Sequence, residues 1–262
     1  MSRGLLSIVV HAYVAGALAY VVHLLGPNRL VRALARLTIG AGLLLQAAAW
    51  VMAAQGAQGM ALGLVAGFSG LAWGLMALCL ILDLGGSRPV FGAFLAPAAL
   101  AVLAPAIWGD ASPAVSTSGM SWLPAHVAVA LAGMAIFTGA AAVAGMYLLM
   151  ERQMKTKRFG LLFARLPSLQ FLGRLNTQLV RWGFLALSLT LLTGVFFARP
   201  GGGLRWDFKE VATFFAWGVF ALLVNGHTFR GWQGRRLAWG TVAGFAVVFA
   251  SFLSNYVSGL RS

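Results

Sequence analysis

Acidic side chains are nearly missing from this chain: five Asp and Glu stand among 262 residues, against nineteen Lys and Arg. Charge of either sign is scarce, at 9% of residues, where a soluble domain carries roughly 25%. The chain therefore cannot coat itself with a water-loving surface. One cysteine, Cys79, lies inside an apolar run, which excludes an internal disulfide and a cysteine-based metal site. There is no repeat at a fixed period, no Ser-His-Asp set, no phosphate loop and no metal cluster, so independent catalysis is not expected. What is there is apolar: 60% hydrophobic residues and a mean hydropathy of +0.87. The class that remains is an integral membrane protein. The net charge of +14 would suit a nucleic-acid partner if it lay on one soluble face, but the cations fall between apolar runs, so no nucleic acid is expected.

A bilayer core takes about 20 apolar residues as helix. On that ruler the sequence predicts an all-α bundle of eight transmembrane helices. Their spans are 4–25, 34–54, 59–83, 90–108, 122–149, 179–198, 211–229 and 237–257, read as one polytopic membrane domain over 1–262. Gly26-Pro27-Asn28, Gln55-Gly56, Gly85-Gly86-Ser87, the 109–119 stretch and Pro200 to Gly203 supply the breaks. Pro97 and Pro105 should kink or shorten the fourth span. Gly133, Gly139 and Gly145 are expected packing points on the fifth. The first apolar run is too long for a signal-peptide core and has no clear cleavage site, so it is read as a span.

Fourteen of the nineteen cations, including Arg29, Arg32, Arg36, Arg152, Lys155, Arg230, Arg235 and Arg236, fall in loops after odd-numbered spans. By the positive-inside rule those loops are cytoplasmic, both termini face outward, and the setting is a bacterial inner membrane. The basic 150–178 segment is expected to form an amphipathic helix lying on the cytoplasmic surface.

Four histidines sit at membrane depth: His11, His23, His126 and His227. Ionisable groups there are costly and are functional candidates. No nearby acid within a span offers them a carboxylate partner, which weakens a proton relay or a zinc site, since zinc wants three or four oriented ligands. Haem needs only one or two axial nitrogens, an apolar slot and cations for its propionates. Topology groups the four as an outer pair, His11 with His126, and an inner pair, His23 with His227. For each of them an interhelical hydrogen bond is the alternative reading. Trp206-Asp207 and Lys209-Glu210 lead into the seventh span from the outer side. They read either as an aromatic belt with helix N-terminal acids, or as an indole platform with a polar rim for a flat amphipathic ligand. The remaining tryptophans suit interfacial belts and imply no site.

Three stretches then carry a resemblance. Trp206-Asp207-Phe208-Lys209-Glu210, followed by His227 and by Gly231-Trp232-Gln233-Gly234-Arg235-Arg236, resembles the cytochrome c assembly family. So do Trp122-Leu123-Pro124-Ala125-His126-Val127 and, in the manner of the HemX-type branch, Leu166-Pro167-Ser168-Leu169 with Arg174-Leu175-Asn176 and Leu192-Thr193-Gly194. Together they cover about 121–257. The resemblance implies haem binding or delivery during cytochrome c maturation, by a non-catalytic protein of the CcsA, CcmC and HemX kind. It implies His126 as an external haem ligand, His227 as a membrane ligand, and Trp206 and Asp207 as the end of a tryptophan-rich loop. The loop's other tryptophans, a second external histidine after the last span and a histidine on the third span are missing, which favours the HemX-type branch. The alternative is a regulator or scaffold that recruits a haem-biosynthesis enzyme or another assembly subunit through 150–178.

Overall fold

The computed structural model describes residues 3–55, 61–62, 64–85, 90–108, 115–116, 122–157, 165–197 and 208–259. It is helical apart from one two-residue antiparallel pair, β1 (Ala61–Leu62) with β2 (Val115–Ser116). The helices are α1 (Arg3–Leu25), α2 (Arg29–Ala54), α3 (Leu64–Leu84), α4 (Val90–Trp108), α5 (Leu123–Thr156), α6 (Leu169–Phe197), α7 (Phe208–Arg230) and α8 (Arg235–Gly259). Seven are long and apolar enough to cross a membrane, while α7 holds a shorter apolar stretch, Val211–His227. The exposed leucines and phenylalanines that stud these helices are what lipid, rather than water, tolerates.

The chain divides into two compact units, Met1–Pro124 and Ala125–Ser262, at the first turn of α5. In the first unit α1 packs on α2 and α4, and α3 packs on α2 and α4, closing a four-helix ring. Its core is lined by Tyr13, Tyr20, Ile39, Leu71, Leu75 and Leu95. Helix α4 runs its whole expected length through Pro97 and Pro105. Glycine lets the rings in: a Cβ on Gly92 would stand 2.5 Å from the Tyr20 ring, and one on Gly42 would stand 2.6 Å from Tyr13.

Polar side chains cross this core fully paired, as a low-dielectric interior demands. The Tyr13 hydroxyl donates to Gln46 Oε1 at 2.8 Å, and the Gln46 amide donates to Ser69 Oγ at 2.8 Å. At one end of the unit Asp83, its side chain wholly buried, accepts from Arg32, Arg36 and Tyr20. This corrects the reading of Arg32 and Arg36 as loop cations. Helix α2 begins at Arg29, five residues before the expected span, because the Asn28 side chain caps it by accepting from the Leu30 N–H at 2.9 Å. Arg32 is thereby helical along with Arg36, which the expected span already contained, and the two lie four residues apart on one face.

In the second unit α7 packs on α6 and α8, and α6 also meets α8. Helix α5 joins them through the stacked rings of Phe137 and Phe220, 3.9 Å between centroids. Gly133 is a packing point, with Ala186 3.1 Å from the place of its missing Cβ. Gly145 is not: it is exposed, with open space around it. Gly183, against Phe137, does that work instead. The 150–178 stretch is not one surface helix. Residues 150–156 prolong α5 until Lys157 turns at φ 52°, residues 158–164 lie outside the described residues, and 169–178 already belong to α6. Extending an existing helix avoids a second nucleation. Pro167 then blocks continuity, and Ser168 starts α6 with its carbonyl accepting from the Leu172 N–H at 3.0 Å.

Candidate functional site

His126 lies in the first turns of α5, and α6 brings Thr193 to it. Nδ1 is 2.7 Å from Thr193 Oγ1. The Thr193 hydroxyl spends its own proton on its helix, at 2.8 Å from the Leu189 carbonyl and 3.1 Å from that of Thr190. With its proton engaged there, it accepts from the imidazole, and the ring then carries its proton on Nδ1 and a lone pair on Nε2, the tautomer that ligates a metal through Nε2. Gly194 keeps this edge open, since only His126 Cε1, at 3.5 Å, comes near the place of its absent Cβ.

His227 sits near the C-terminus of α7 and is oriented by the turn that follows. Its Nδ1–H donates to the Trp232 carbonyl at 2.9 Å, which again leaves the lone pair on Nε2. The turn is built from its glycines. Gly231 and Gly234 both adopt left-handed backbone, φ 63° and 64°, which costs other residues strain. The Trp232 N–H returns to the Gly226 carbonyl at 3.0 Å, and its indole lies on Gly226, where a Cβ would collide with it. Tyr147 of α5 braces the far side, its hydroxyl 2.7 Å from the place a Gly234 Cβ would take.

Beside this turn lies an open groove of about 690 Å³ lined by Leu223, Trp232, Arg235, Arg236, Trp239 and Gly240. Glu151 at the end of α5 pairs with Lys155 at 2.7 Å and stands 3.9 Å from Arg235.

The two histidines are at opposite ends of the second unit. Tyr147, which touches the His227 turn, is 21 residues along α5 from His126, or about 32 Å at 1.5 Å per residue. They cannot ligate one iron. His11 and His23 belong to the first unit. His11 donates Nδ1–H to the Ser7 carbonyl of its own helix at 2.7 Å, and its ring stays exposed. His23 is buried, with Nδ1 within 3.0 Å of both the N–H and the carbonyl oxygen of Asn28, so it closes the α1–α2 turn. Trp206 and Asp207 lie outside the described residues.

Sequence reasoning missed Thr193 as an orienting group, although Leu192-Thr193-Gly194 was among its motifs. It also passed over Trp232 and Trp239 as belt residues, and it gave Asp83 no role. The signal for Asp83 was its position: one carboxylate at the end of an otherwise apolar span.

Comparison with known proteins reaches further along the chain than the sequence motifs do. A family model described as cytochrome C assembly protein matches residues 61–261, so α3 and α4 belong to the likeness as well. The cytochrome c biogenesis protein CcsA of Synechococcus elongatus is 28% identical over 239 residues, covering 72% of this chain and 73% of that protein. The CcsA of Prochlorococcus marinus, strain MIT 9303, is 26% identical over 223 residues, covering 72% and 70%. Inner membrane protein YpjD of Escherichia coli K12 is 28% identical over 132 residues, half of each chain.

Proposed function

The chain belongs to the cytochrome c assembly protein family and acts in cytochrome c biogenesis as a multi-span membrane protein, and from that premise we propose that it binds and hands on haem without catalysing a reaction of its own. The observation that carries this is His227: a half-buried imidazole whose Nδ1–H is fixed on the Trp232 carbonyl, so that Nε2 is the ligating nitrogen. His126, fixed in the same tautomer by Thr193, is a second ligand at the other end of the unit.

The residues fit haem in kind. Haem supplies an iron that accepts imidazole nitrogen, and each of these rings is pre-set to offer it. Thr193 and the α7–α8 turn hold the rings, so little rotamer freedom is lost when the nitrogen is used. With cations biased to one face, the His227 end is the inner one and the His126 end the outer one, in a bacterial inner membrane with both termini outside. The protein then holds the ligand at two depths, and passage to another assembly subunit takes place at the outer end, where Trp206 and Asp207 lead into α7. His11 and His23 are haem contacts of lower standing, because the bonds they make serve their own helix and turn.

The test is a spectrum. Protein purified from a haem-replete host should carry a Soret band, weakened by His227→Ala and by His126→Ala. A featureless spectrum from well-folded protein would set the reading aside.

A further inference from the structure

Helix α7 turns one face into its unit and leaves the other bare. Ala216, Phe220, Leu223 and Gly226 are buried. Val211, Phe215, Gly218, Leu222, Asn225 and Phe229 are exposed, at alternating steps of four and three residues. That alternation holds one stripe toward a neighbouring helix. Trp217 is exposed too, but its indole N–H is held by Ser188 Oγ of α6 at 3.0 Å. Lipid would cover the apolar members of the stripe, but it cannot serve Asn225. One amide N–H of Asn225 donates to the Ala221 carbonyl of its own helix at 2.8 Å. Its second N–H and its Oδ1 have no partner among the described residues. The residue lies within the apolar stretch Val211–His227, and the stripe runs on past it to Phe229, which is 81% exposed. A bare amide in hydrocarbon is costly, and a hydrogen bond to a second helix removes the cost. Two turns earlier on the same stripe, nothing stands within 4 Å of the place of the missing Gly218 Cβ, so another backbone can come close there.

We infer that this stripe is where two copies of the chain pair, α7 against α7, with Asn225 hydrogen-bonded to its own counterpart. The amide selects that occupant. Copies inserted in one membrane point the same way, so a twofold axis along the membrane normal sets equivalent residues of the two α7 helices face to face at one depth. Each Asn225 then offers one free N–H and one free oxygen, and two such amides satisfy each other reciprocally. A helix of another protein would need a matching polar group at this depth, whereas a second copy brings it by symmetry. Gly218 meets Gly218 and adds no bulk, while Phe215, Leu222 and Phe229 pack against their counterparts on either side. The pairing uses none of the residues that orient His126 or His227.

The experiment uses the full chain in membranes of an expressing bacterium, oxidised with copper phenanthroline. Single cysteines are placed on the stripe by Phe215→Cys or Leu222→Cys, and on exposed positions of other helices by Leu44→Cys or Leu185→Cys. The resident Cys79 is buried, and the parent chain measures whatever it contributes. A band at twice the 27.6 kDa of the chain is expected from the two α7 variants and not from the others. Equal yields at all four positions would overturn the inference, as would no yield on α7 or cross-links from α7 to other proteins alone. All four residues are exposed, so the substitutions leave the packed core as it is. A second measurement follows energy transfer between labelled copies in lipid vesicles at graded dilution. Asn225→Leu should weaken pairing about threefold to tenfold, the size of one interhelical hydrogen bond. Asn225→Gln keeps the amide and should retain most of it. Undiminished pairing in Asn225→Leu would overturn the inference even if the copies cross-link.

Discussion

Arg32 holds Asp83 at both ends of the residue: its Nη2 is 2.6 Å from Oδ1 and 3.2 Å from the backbone carbonyl, with Nε 3.0 Å from Oδ1. Arg36 repeats the arrangement on Oδ2 and the same carbonyl, and the Tyr20 hydroxyl donates to Oδ2 at 3.0 Å. One buried carboxylate thus ties α1, α2 and the last turn of α3, and the guanidiniums offset the negative end of the α3 dipole. Asp83→Leu leaves both arginines without their counter-ion. Because they are partly exposed, at 28% and 34%, the loss should be near the low end for a broken buried pair, about 3 kcal/mol. Thermal unfolding in detergent checks it, and a variant as stable as the parent would show that the network holds nothing together.

How much of this was legible beforehand divides along the same line. Apolar run length placed all eight described helices, because bilayer thickness constrains span length directly. It misjudged where cations sit relative to helix ends. Arg32 counted as a loop charge because the expected span began at residue 34, and Arg36 was grouped with the loop although it lies inside that span. The helix itself starts at its cap, Asn28, and the arginines are satisfied by a partner 51 and 47 residues away. The same habit made a surface helix of 150–178, where two spans run on past the apolar stretch. Which groups orient His126 and His227 was out of reach, because Thr193 comes from another helix and the Trp232 partner is a backbone oxygen.

Thr193 sets the His126 tautomer and should act only through it. Thr193→Val removes the acceptor, so haem retained by a His227→Ala background should fall, while Thr193→Ser should restore it. Absorbance per protein in the two double variants reads this out. Equal loss from valine and serine would mean that Thr193 only fills space.

The α7–α8 turn should tolerate no side chain at Gly226, where a methyl group meets the Trp232 indole. Gly226→Ala should displace Trp232 and, with it, the acceptor for His227. Lowered His227-dependent haem content is expected. Gly231→Ala carries instead the left-handed penalty of about 1–2 kcal/mol, seen as a lower melting temperature.

Asn176 of α6 is buried and donates to Thr241 Oγ1 at 3.2 Å, while its Oδ1 has no hydrogen-bond partner among the described residues. Thr241→Val takes away the remaining bond and should cost about 1–3 kcal/mol. Asn176→Leu, which removes the unsatisfied amide altogether, should be milder than that. Melting curves of the two variants settle their order.

Haem binding by this protein turns on His227 as a ligand. Its most direct measurement is the Soret band of the full chain purified from a haem-replete host, beside that of His227→Ala at equal protein concentration and equal melting temperature. A clear band that drops in the variant and returns when imidazole is added is the predicted result. An identical band in both proteins, or none in either, would contradict it.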